Sequence, residues 1–205
     1  MKLQISFALT LLAVFLASPT QSRADSDGYF CTSKGYLAFE TRKGITPGAV
    51  GHVLRVVRFE PKRGIYVAGE VTLLDFQVYH LLCSEDRIEI SGWRNVFTKY
   101  VIEITKSGEL RNLGPAEFPG REWSDAAKDG PAPANLGMFG PDVAPLRLES
   151  PDSEHEYQLL RNASGTKVKE VWESHWKSEL IQLDQKGAVL QRFALYERRI
   201  VESGE

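Results

Sequence analysis

The chain has 205 residues, 42% of them hydrophobic and 25% charged, with 25 Lys and Arg against 27 Asp and Glu and a formal net charge of −2. This is enough chain to bury a proper core in one domain. It carries neither a basic stripe nor a block of like charge, which argues against nucleic acid and anionic membrane surfaces as partners.

Residues 1–24 read as a signal peptide. Lys2 opens the chain with a positive charge, Ile5–Ala17 is an apolar run, and Ser22-Arg23-Ala24 has the small-x-small pattern of a cleavage site. The run is too short to span a bilayer. The expected product is a single all-β domain, residues 25–205, secreted or periplasmic, and not inserted in a membrane after the signal is removed. In an oxidising compartment two lone cysteines usually pair, so Cys31 and Cys83 are expected to form a disulfide. The chain has no CxxC motif, and Cys83 closes the apolar run Tyr79–Leu82, which suits a structural half-cystine better than a reactive thiol.

In chain order, Gly35–Thr41 is the first expected strand, followed by His52–Glu60 and Ile65–Leu74 across a Pro-Lys-Arg-Gly turn. Phe76–Cys83 and Arg87–Trp93 flank a turn at Ser84-Glu85-Asp86, and Tyr100–Leu113 closes this half as a hairpin. The stretch 114–151 then holds seven of the ten prolines and almost no period-2 alternation. It reads as a long Pro/Gly-rich loop insertion with a helical turn near Trp123–Lys128. Strands resume at His155–Asn162 and Lys167–Lys177. A helix over Val168–Trp176 is the alternative, because Val168, Val171, Trp172 and His175 share a helical face, but Trp and Val favour strand. The tail from Glu197 is expected to fray.

One cassette occurs twice. Leu180–Arg192 (LIQLDQKGAVLQR) and Val101–Leu113 (VIEITKSGELRNL) are 79 residues apart, each an apolar strand, a polar turn ending in Gly187 or Gly108, and a second strand. Looser versions place turn glycines at Gly44, Gly64 and Gly165. The expected fold is therefore an all-β antiparallel meander of about ten to twelve strands, as a barrel, a propeller-like array or two packed sheets. The pattern L-x-x-D-x-x-G-x-x-L is similar in outline to the blade hairpins of β-propellers. That resemblance covers only the two cassettes, and too few evenly spaced blades follow for a standard propeller.

Signals of chemistry are sparse. The four histidines, His52, His80, His155 and His175, include no HxH or HxxxH pair, so no metal site is expected, although Glu154-His155-Glu156 resembles a fragment of one. The sequence contains no Gly-x-Ser-x-Gly elbow and no Gly-rich phosphate loop, and no cofactor is expected. Asp184 precedes a turn, where Asp commonly caps its own backbone. The aromatic residues are the best lead. Trp172 and Trp176 fall two period-2 steps apart with Ser174 between them, while Trp123 and Phe139 sit in the insertion. Together these four form the candidate binding set, for a glycan, another small ligand or a protein, weighed against an ordinary aromatic core face. The leading reading is an exported, non-enzymatic binding module. The alternatives are an extracellular glycan hydrolase with carboxylates from distant strands, and a structural component of the cell envelope.

Overall fold

A computed structural model describes residues 28–46, 49–73, 77–93, 95–105, 107–121, 134–135, 143–168 and 171–203. The expected signal peptide, Trp123, Phe139 and the helical turn expected at 123–128 lie outside these residues. Everything described is antiparallel β-structure and turns, in three sheets that do not close into a barrel. The central sheet holds β1 (Tyr29–Ser33), β2 (Tyr36–Thr46), β3 (Ala49–Glu60) and β4 (Gly64–Leu73) in the order β4-β3-β2-β1. A second sheet runs in sequence through β5 (Gln77–Cys83), β6 (Arg87–Trp93), β7 (Phe97–Ile104) and β8 (Leu110–Phe118). The two-residue β9 (Ala134–Asn135) adds to β1 of the central sheet. The third sheet is β10 (Leu146–Leu148), β11 (Glu156–Val168), β12 (Val171–Leu183) and β13 (Val189–Ser203), again in sequence order.

The central sheet is buried on both faces, and its sequence explains why. Successive side chains of a strand point to opposite faces. Tyr36, Ala38, Leu54 and Val56 pack with Val78, Leu81, Ile88, Ile90, Tyr100 and Ile102 of the second sheet. Their neighbours Leu37, Phe39, Val57 and Phe59 pack with Leu148, Tyr157, Leu159, Leu180 and Leu195 of the third. Strands with two apolar faces read as near-continuous hydrophobic runs, which is what Tyr36–Phe39 and Val53–Phe59 are.

Three polar or covalent ties join the layers. Cys31 on β1 and Cys83 at the end of β5 form the expected disulfide, with Cα atoms 5.6 Å apart. The Tyr36 hydroxyl donates to the carbonyls of Ser84 at 2.5 Å and Arg87 at 3.2 Å, across the β5–β6 turn. From β13, the Gln191 amide meets the edge of β4 as another strand would. It accepts from Ile65 N–H at 2.7 Å and donates to Ile65 C=O at 3.1 Å.

The repeated cassette is a repeated structure. Gly187 N–H donates to Asp184 C=O at 3.0 Å, Asp184 N–H to Ala188 C=O at 3.0 Å, and Ala188 N–H to Asp184 Oδ1 at 2.8 Å. In the earlier copy Gly108 N–H donates to Thr105 C=O at 2.8 Å, Thr105 N–H to Glu109 C=O at 2.9 Å, and Glu109 N–H to Thr105 Oγ1 at 3.0 Å. Thr105 does with a hydroxyl what Asp184 does with a carboxylate. Gly187 and Gly108 take φ of 80° and 86°, and Gly64 at the β3–β4 turn takes 73°, all in the left-handed region that glycine enters without steric cost.

Several expectations are corrected. Gly44 and Gly165 are not turn glycines: Gly44 lies inside β2 opposite Val50, and Gly165 inside β11 opposite Ser174. The ladder of β11 and β12 runs on to Val168↔Val171, so Lys167–Lys177 is two strands of a hairpin rather than one. The tail does not fray at Glu197, because β13 pairs with β12 through Ser203. The strand after Gly108 continues past Leu113 to Phe118 with Pro115 inside it, which is tolerated because β8 is an edge strand.

Two outcomes follow from these ties. Gly64→Ala forces a left-handed backbone on a residue with a Cβ and pushes that Cβ against Gln191 Oε1, whereas a Cβ at Gly187 meets nothing within 4 Å. Urea unfolding should therefore show a loss of about 1–2 kcal/mol for Gly187→Ala, and about 1–2 kcal/mol more for Gly64→Ala from the broken Gln191 clamp. Replacing both cysteines with Ala should lower stability by about 4 kcal/mol in the chain-entropy model, since the bridge spans 52 residues.

Candidate functional site

Among the described residues, an open groove of about 740 Å³ lies at one end of the third sheet. Its lining comes from three chain segments: β10 with Arg147, the turn leading into β11 with Ser153, Glu154, His155 and Glu156, and the β12–β13 hairpin with Asp184 and Lys186. The first wall is built by Asp152, whose side chain closes a tight turn on itself. Its Oδ1 accepts from the backbone N–H of Glu154 at 2.6 Å and of His155 at 2.8 Å, and lies 3.1 Å from Nδ1 of the His155 ring. Asp152 N–H donates back to Ser150 Oγ at 3.3 Å. Short polar side chains favour such turns because they satisfy amides that no ladder can reach.

The strand that follows is anchored in the core. Tyr157 is fully buried, its ring 4.5 Å from that of Phe59 on the central sheet, and its hydroxyl accepts from Gln182 Nε2 at 3.3 Å. Burial, reinforced by the negative charges of Asp152 and Glu60, pushes the Tyr157 phenol up to about 12, so it stays neutral. Beside it Glu156 accepts from Arg147 and from Gln158 Nε2, which holds its carboxyl below the usual range. For Asp152 burial acts to raise the carboxyl, but the two backbone amides and the His155 ring outweigh it, and the net displacement is downward. Across the groove, Asp184 Oδ1 is occupied by the N–H groups of Lys186 and Ala188 at 2.8 Å each. Asp152 Oδ2 is buried and makes no hydrogen bond among the described residues.

Chemically this is a set of fixed charges. Asp152 and Glu156 are held ionised, so neither is a carboxyl kept protonated near neutral pH to serve as a general acid, and Asp184 Oδ1 is committed to its turn. Among the described residues, no group of three or more His, Cys, Asp or Glu is placed to hold a metal ion.

The groove is not where the sequence pointed. Trp176 lies on β12 opposite Ala163 and Arg198, half-buried, seven residues and roughly 23 Å along the strand from Leu183 at the groove end. Trp172 is farther out, opposite Lys167 and Glu202, and its side chain lies outside what the structure describes. Leu180, on the same period-2 set as Trp176, belongs to the hydrophobic core, and Trp176 continues that face beyond it. Glu154, His155 and Glu156 were noted in the sequence as a metal-like fragment. Their partners Arg147 and Asp152 were not, although Asp three residues before His in a Ser-Pro-Asp-Ser-Glu-His run is a readable turn signal.

No family model matches the chain, and no curated protein matches it significantly. The class that fold and groove define is a stack of three antiparallel meanders carrying a polar groove at the end of one outer layer.

The Asp152 displacement gives a signed pH dependence. A carboxyl whose folded value lies below the unfolded one, about 3.9, contributes stability above that pH and loses it as pH falls through the folded value. Asp152→Ala should cost about 1–3 kcal/mol at neutral pH, and the gap from the parent should narrow below about pH 3.9 in urea unfolding curves.

Proposed function

We propose that the chain is an exported, non-enzymatic binding module that holds a small polar ligand between the Asp152–His155 turn and the 184–187 hairpin. The observation that carries this reading is that the groove's carboxylates are already held by neighbours: Glu156 and the adjoining Asp152 are kept ionised, and Asp184 Oδ1 is taken up by its own turn, as recognition requires and acid–base turnover does not. Carboxylates and hydroxyls on one side face Lys186 on the other, and Arg147 stands beside Glu156. A ligand with both donors and acceptors, such as a sugar or an amino-acid zwitterion, matches that mixed lining. Export is supported by the signal-like N-terminus and by a disulfide, which persists in oxidising compartments. Trp176, half-buried beyond the core, is a separate apolar contact on the same sheet.

One observation favours the glycan hydrolase as a second reading: Glu154, Glu156 and Asp184 line one groove. A single experiment weighs the two. Thermal unfolding is followed against a panel of sugars, amino acids and dipeptides, with native mass spectrometry of the undenatured protein and an assay for glycoside turnover. The binding reading expects at least one compound to raise Tm in the parent and to lose that effect in Arg147→Ala. Turnover that disappears in Glu154→Gln would transfer the assignment to a hydrolase. A native mass equal to the bare chain, with no Tm shift across the panel, would remove the groove as a ligand site.

A further inference from the structure

The edges of the three sheets are not alike. Edge β8 carries Pro115, which has no N–H to offer a neighbouring strand. Edge β4 is occupied at Ile65 by the Gln191 amide. Edges β9 and β10 are two and three residues long. Edge β5 is seven residues long and lies against β1, to which the Cys31–Cys83 disulfide ties its end. Edge β13 differs from all of these: it is fifteen residues long, has no proline, and among the described residues no strand pairs with its outer side. A bulge opposite Ser178/Glu179 divides it, and beyond the bulge Tyr196–Ser203 keeps unbroken register with Val171–Ser178. Glu197, Arg199 and Val201 on this stretch are exposed, Val201 at 58%.

We propose that the distal edge of β13 pairs antiparallel with the same edge of a second copy of this chain, about a two-fold axis at Ile200. A two-fold normal to a sheet keeps each residue on its own face, so only residues of equal parity can lie opposite one another. Centring on Ile200 places Arg198 opposite Glu202 twice and Ile200 opposite itself. The series Arg198, Ile200, Glu202 is thus its own complement when read backwards. On the other face Glu197 lies opposite Ser203 and Arg199 opposite Val201, with no like charges directly facing. Neighbouring centres are worse. An axis at Arg199 sets that arginine against itself, and one at Val201 sets Ile200 against Glu202. Charged residues on an edge normally repel indiscriminate pairing, and here they admit the copy whose order is complementary. The result is one continuous sheet of eight strands from two third sheets. A contact over about seven residues a side is small, so the dimer is a weak one that dissociates on dilution.

Sedimentation velocity from micromolar to near-millimolar concentration tests this. The parent should pass from monomer to dimer, Arg198→Glu and Glu202→Arg should each remain monomeric, and the double reversal should dimerise again because it recreates the complement. Amide hydrogen exchange over 198–202 in the parent should slow with rising concentration, a readout that needs no variant. A parent that stays monomeric throughout, or a dimer that a single reversal leaves intact, would overturn the proposal. A single reversal that fails to fold would be exposed by circular dichroism, and the exchange data would then decide.

Discussion

Burial of the central sheet on both faces is the constraint on which the rest of the structure depends. Because β2 and β3 send alternate side chains to opposite sides, one pair of strands supplies both cores: Tyr36, Ala38, Leu54 and Val56 to one, Leu37, Phe39, Val57 and Phe59 to the other. A polar residue at any of these positions would need a partner inside a packed layer, and Glu40 is the instructive case, fully buried and paired with His52. Two outer sheets, each a four-stranded meander, then need only one good apolar face.

The groove inherits its rigidity from that arrangement. Tyr157 sits buried against Phe59, and the next residues upstream, Glu156 and His155, leave that anchor half-buried at the groove. Asp152 sets the angle at which they emerge, by taking up the two backbone amides that precede the strand. On the far wall the Asp184 turn is closed by its own hydrogen bonds. Charges held this way keep their positions without help from a ligand, which is what the proposed binding role requires.

The glycines show where reading a sequence stops. Gly64, Gly108 and Gly187 follow polar turn residues and do reverse the chain; the cassette spacing predicted the last two as equivalent turns, and the structure adds that they share a hydrogen-bond pattern. Gly44 and Gly165 have similar neighbours and do not reverse it. Whether a glycine ends a strand depends on how far the partner strand can keep pairing, and the thirteen-residue ladder of β11 with β12 carries straight through Gly165. The same cause explains β13: its charged tail looked unfit for a strand until β12 was there to pair with it. In the candidate site, Asp152, His155 and Glu156 are close in sequence and could be read locally, whereas Arg147 and Asp184 come from a separate strand and a separate hairpin.

What the sequence determined by itself was local: antiparallel β-structure from period-2 patterning, reversal at glycines needing positive φ, and a pairing of Cys31 with Cys83 from their number and expected compartment. Tertiary structure alone decided that the meander folds as three layers instead of closing into a barrel, which strand has an open edge, and which charges meet at the groove. Strand periodicity fixes the two faces of a ribbon but not what covers them. That choice is made by the summed fit of many apolar side chains far apart in the chain, and no short window of sequence contains it.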